Sequence, residues 1–229
     1  MDILGRVDRL CARLERQGRA DPRSKLYAAG VKEKLRQAQF ALSIMTYLEA
    51  NERYGATSQG GGLEIQHQIL DTIDDQIAFY CDCFWDFLRS AIDILAQLIN
   101  TVMNLGVAER DVDFKRISDV LNDNHAANPL TKAVMLLRRS RSLKVLEEYR
   151  HCSTHRRHVY IQVKEIMTMV TGRAGYDTTN PVSQSVQRYL CDNPLDLSPR
   201  VTDRQVVPFC QRLRHQVEAK MSRVVNRLG

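Results

Sequence analysis

The fold is decided by EIQHQILDTIDDQIAFYCDCFWDFLRSAIDILAQLINTVMN, residues 64–104. Apolar side chains recur there at Ile65, Ile69, Ile73, Ile77, Tyr80, Phe84, Leu88, Ala91, Leu95, Leu98 and Val102. Steps of three and four are the seam of an amphipathic helix, not the alternation of a strand. Some forty residues at a rise of ~1.5 Å each would span roughly 60 Å if straight, so a kink or break is expected. A second row, Asp71, Asp75, Asp82, Asp86, Asp93, Gln97, Asn100 and Asn104, also keeps to one face. Di-iron helical proteins carry carboxylates in such rows, but with a Glu-x-x-His from each of two helices; this stretch has one, Glu64 to His67, at its start. The row reads as a solvated or subunit-facing surface, or as a polar face that pairs with a basic part of the chain. No metal is expected.

Upstream, Ile3, Val7, Leu10 and Leu14 mark a helix over about 2–17. Asp21-Pro22 is a start signal, a cap followed by proline at the first helical position. The helix it opens is expected to reach about Tyr54, with Leu26, Ala29, Lys34-Leu35, Ala38, Leu42, Met45 and Leu48 as its buried stripe. The run Thr57-Ser58-Gln59-Gly60-Gly61-Gly62 ends it, without the Lys-Ser/Thr that would make a phosphate loop. Downstream, Gly106 ends the long helix, and a shorter one follows at about 112–123. Helix resumes near Leu130, with a bend at Ser140–Ser142, and runs toward His155. Val159, Ile161, Val163, Ile166, Thr168, Val170 and Thr171 are β-branched, which favours strand. Helix continuation is the rival there, because Val159, Val163, Ile166 and Val170 also fit a helical stripe. We read residues 158–191 as a β-hairpin or loop excursion, with Asp203 capping a final helix of about 204–227. The expectation is one mainly α domain over 1–229, an antiparallel helical bundle with that excursion before its last helix.

Hydrophobic residues make up 44% of the chain, enough for a sizeable core, and the net charge is +6. Residues 132–164 hold nine Lys/Arg against two acids, so the rest sums to −1. A field concentrated this way attracts phosphates, although a basic stretch also serves as plain solvated surface. Six irregularly spaced cysteines do not make a disulfide scaffold in a chain of this size. No run approaches ~20 apolar residues, and the opening MDILGR lacks a signal-peptide core. A cytoplasmic protein with reduced thiols and no membrane contact is expected.

The chemistry concentrates in EEYRHCSTHRR, residues 147–157. On a continuous helix, Arg150 and His155 would stand ~140° apart. Either the helix ends between them, as Ser153 and Thr154 suggest, or a second copy of the chain completes the site. A histidine near a helix end titrates near neutrality and serves as general acid or base. An arginine holds a phosphate through two parallel hydrogen bonds and stabilises its charged transition state.

The spacing Arg150-His151-x3-His155 resembles the signature of the HEPN superfamily of helical domains. Many of these are metal-independent ribonucleases of toxin–antitoxin and phage-defence systems. The resemblance covers roughly 64–157 and the last helix; asparagine is commoner where this chain has His151. It implies RNA cleavage by Arg150 and His155, with His151 assisting and no cofactor. Arg156, Arg157, Lys144 and Arg141 would bind the RNA backbone. It also implies a homodimer with facing motifs and a possible antitoxin partner. Two other readings compete. A helical module that binds nucleotides or a partner protein needs no catalysis. A zinc site could draw on His151 and His155, four apart, with Cys152 or His158 as third ligand, but no Glu lies between them as in H-E-x-x-H.

Overall fold

The computed structural model describes residues 2–55, 63–155, 161–168, 183–191 and 201–228. Side chains are described for residues 2–50, 73–151, 190 and 205–228. Seven α-helices dominate: α1 (Ile3–Arg16), α2 (Pro22–Gly55), α3 (Leu63–Met103), α4 (Phe114–Asn124), α5 (Pro129–Arg138), α6 (Arg141–His155) and α7 (Val206–Arg227). The protein is mainly α, as its periodicity implies.

The helix starts follow from local chemistry. Asp2, Asp113 and Asn128 cap α1, α4 and α5 by accepting hydrogen bonds from the backbone N–H groups of Leu4, Arg116 and Leu130. α1 buries Ile3, Val7, Leu10 and Leu14, the stripe expected of it. α3 runs unbroken over 41 residues, with no glycine or proline between Leu63 and Met103 to interrupt it. It ends where Asn104 (φ 50°) and Gly106 (φ 73°) turn left-handed, a conformation cheap for glycine and tolerable for asparagine.

α2 and α3 pack against each other and run antiparallel. Gly30 faces Ile94, the Lys34 ammonium sits 4.9 Å above the Phe87 ring, and Tyr47 and Asp75 line one pocket. A β-carbon on Gly30 would stand 3.2 Å from Ile94 Cγ2, so glycine permits the close approach. The face α2 buries is Ala28, Val31, Leu35, Ala38, Ala41, Leu42 and Met45. Leu26 is 68% exposed, and Ala29 is exposed as well, which corrects the first turns of the expected stripe. Three alanines on the inner face carry little hydropathic signal, while Leu26, Phe40 and Tyr47 sit outside.

α7 packs against α1, α2, α3, α5 and α6 through Val207, Cys210, Leu213, Val217, Met221 and Val224. Where α3, α6 and α7 meet, Trp85 is fully buried. Its ring stacks on Tyr149 at 4.8 Å and 14°, meets Phe84 edge-on at 4.9 Å, and tilts against Phe209 at 6.3 Å. Three strands, β1 (Ile161–Thr168), β2 (Ser183–Cys191) and β3 (Val201–Gln205), form an antiparallel sheet in that order. β3 takes in Asp203, so the expected cap of the last helix is corrected: α7 starts after Gln205, with no side-chain cap. Residues 158–160 and 169–182 of the expected excursion lie outside the described residues.

Candidate functional site at the seam of α3 and α6

α6 carries the arginine and histidine positions of the motif. Ser142, Leu143, Leu146 and Tyr149 anchor it to the core, and Ser142 Oγ accepts a hydrogen bond from the Lys220 ammonium of α7 at 3.0 Å. The helix continues through His155, which corrects the alternative of an end between Arg150 and His155. Serine and threonine compete locally with helical hydrogen bonds, but they do not interrupt a helix whose preceding turns are held by packing.

The register then sorts the motif. Arg150 lies at the edge of the buried face, next to α3. Arg141, Lys144, Glu148 and His151 are exposed, and at ~100° per residue position 155 falls on their face. The side chain of His155, and Arg156 and Arg157, lie outside the described residues.

Arg150 meets α3 in a cluster of charges. Its Nε stands 3.5 Å from Asp86 Oδ1. One turn further along α3, Arg89 pairs with Asp93 at 2.6 Å and reaches Glu147 of α6 at 3.7 Å. Arg89 belongs to no expectation drawn from the sequence, although its i,i+4 spacing to Asp93 is a readable signal. The polar row of α3 is therefore divided in use. Asp86 and Asp93 turn to the basic side chains. Gln97 and Asn100 hold the chain after α3, donating to the carbonyls of Glu109 at 2.9 Å and Val107 at 2.8 Å. Among the described residues no group of His, Cys, Asp and Glu is arranged to hold a metal ion.

The basic stretch is partly neutralised. Arg138 pairs with Asp119 and Arg150 with Asp86. Lys144 is loosely paired with Glu148 at 4.0 Å. Lys132, Arg139, Arg141 and Lys144 keep exposed side chains.

Burial pushes the Asp93 carboxyl above its ordinary 3.8; Arg89 and Arg150 pull it back, Asp113 adds to the rise, and the Phe114 backbone N–H opposes it. A folded protein that keeps this proton is favoured at low pH. The contribution is full below 3.8 and is lost as pH rises through the elevated value. Relative to Asp93→Asn, the wild type should lose stability as pH rises from 3.8 through the raised value. Urea midpoints of the two proteins at several pH values check this, and a constant difference would contradict it.

No family model, no curated protein and no solved structure matches this chain. Among the described residues no helix is long and apolar enough to cross a membrane.

Proposed function

We propose that this protein is a HEPN-like, metal-independent endoribonuclease, of the kind that serves as a toxin or phage-defence effector. The observation that carries the proposal is the Arg150-His151-x3-His155 spacing on α6, with the Arg150 side chain 42% exposed. Lys144 and Arg141 stand exposed on the same helix, and with Arg156 and Arg157 they would track the RNA backbone. Arg150 anchors the scissile phosphate. His155 takes the proton of the 2′-hydroxyl, whose oxygen bonds to phosphorus while the bond to the 5′-oxygen breaks. That oxygen leaves with a proton, and the products are a 2′,3′-cyclic phosphate and a 5′-hydroxyl. His151 assists by proton transfer or phosphate contact.

The site is proposed to need two chains. On an unbroken helix positions 150 and 155 are ~140° apart, so one copy does not present both to one phosphate from one face. A twofold homodimer brings Arg150 of one protomer toward His155 of its partner, and an antitoxin would act by covering that cleft.

The pairing of Arg150 with Asp86 favours a second reading, a non-catalytic module in which Arg150 ties α6 to α3. One assay separates the two. Purified protein should cleave single-stranded RNA in EDTA and leave 2′,3′-cyclic ends. Mixing inactive Arg150→Ala and His155→Ala protomers should restore part of the activity. RNA binding without cleavage would favour the module. Cleavage that EDTA stops and zinc restores would point to His151 and His155 as metal ligands.

A further inference from the structure

We propose that Asp86 is a gate on Arg150: its carboxylate holds the place at the guanidinium that an RNA phosphate takes, so RNA binds only as this pair opens. The proposal rests on the ribonuclease reading and adds a residue of α3 to that site.

Among the described ion pairs, five charged side chains meet at the seam: Asp86, Arg89 and Asp93 from α3, Glu147 and Arg150 from α6. Three carboxylates face two guanidiniums, so the fully ionised cluster is negative, which opposes an approaching phosphate. The two arginines are held differently. Arg89 is 11% exposed and gripped from both helices, by Asp93 at 2.6 Å and Glu147 at 3.7 Å. Drawing it out would strand the Asp93 carboxylate, which is 33% exposed, against 49% for Asp86. Arg150 is 42% exposed, and its partner Asp86, at 3.5 Å, is 49% exposed. A solvated pair at that separation is weak, because water screens it and two long side chains must be held in one geometry. A phosphate offers a guanidinium two oxygens in the fork geometry it prefers. Of the two pairs, Arg150–Asp86 is thus the one more open to exchange with a phosphate, and Arg89–Asp93 the more covered one. Asp86 acts through Arg150, as a positioning residue: it keeps the guanidinium at the seam when RNA is absent and competes with RNA when it is present.

The test is equilibrium binding of a fluorescein-labelled, single-stranded 2′-O-methyl RNA, which lacks the attacking hydroxyl, in EDTA at low ionic strength. Asp86→Asn should tighten binding by about two- to fivefold. Asp123→Asn removes the same charge from an exposed position on α4 outside the cluster, and should shift binding less. In an Arg150→Ala background, Asp86→Asn should shift binding no more than Asp123→Asn does; a merely structural or long-range effect of Asp86 would survive there in full. Unchanged or weaker binding by Asp86→Asn, or an equal gain without Arg150, overturns the gate alone. A wild-type protein that binds no RNA overturns the ribonuclease reading and the gate with it.

Discussion

Arg150→Ala and His155→Ala should each lower RNA cleavage in EDTA by a factor of about 100 or more. A positioned general acid or base is worth ~10²–10⁴ in rate, and one preorganised donor to a charged transition state is worth ~10²–10³. Neither loss should reflect unfolding. The Arg150–Asp86 pair is half exposed on both sides, so its removal costs about 1 kcal/mol or less. His155 is the last residue of α6, where the helix has least to lose. Far-ultraviolet circular dichroism and urea midpoints close to wild type, beside lost cleavage, are the expected outcome. Residual activity within a factor of about three of wild type in either variant would place the chemistry elsewhere.

The elements that hold this site were legible where one face of a helix is apolar and the other charged. α1 and α3 carry that contrast from end to end, and the seam residues Ile77, Phe84, Leu88, Leu95 and Leu98 are all buried. α2 was harder because both of its faces are apolar. Alanines line the inner one and Leu26, Phe40 and Tyr47 the outer one, so hydropathy alone misassigned the register at Leu26 and Ala29. At the site, Ser153 and Thr154 suggested a helix end between Arg150 and His155, whereas the helix runs through both positions. The pairing of the polar row of α3 with a basic part of the chain was among the readings, but that Asp86 is the member that meets Arg150, 64 positions later, follows only from the packing of α6 on α3. The same packing corrects the picture of the basic stretch. Its charge counts as positive along the chain, yet Arg138 and Arg150 spend theirs on carboxylates of other helices.

Trp85→Ala should destabilise the protein by about 3–5 kcal/mol, the range for deleting a large buried aromatic. Trp85 is fully buried, and its ring stacks on Tyr149 and contacts Phe84 and Phe209. A single side chain thus joins α3, α6 and α7. With a urea slope of ~2–3 kcal/mol/M, the midpoint should fall by about 1–2 M. Trp85→Phe should cost less, under about 2 kcal/mol, because it keeps an aromatic ring in place. The indole N–H has no hydrogen-bond partner among the described residues, so phenylalanine gives up no bond seen there. The loss should also reach function, because Tyr149 precedes Arg150 and its stack on Trp85 seats that turn of α6. Leu10→Ala is the control: Leu10 is equally buried, but on α1, and its truncation costs about 2–5 kcal/mol without touching the seat of α6. At a temperature where both variants are fully folded, Trp85→Ala should cleave RNA more slowly than Leu10→Ala. Equal rates for the two would show that the Trp85–Tyr149 stack stabilises the fold without positioning Arg150.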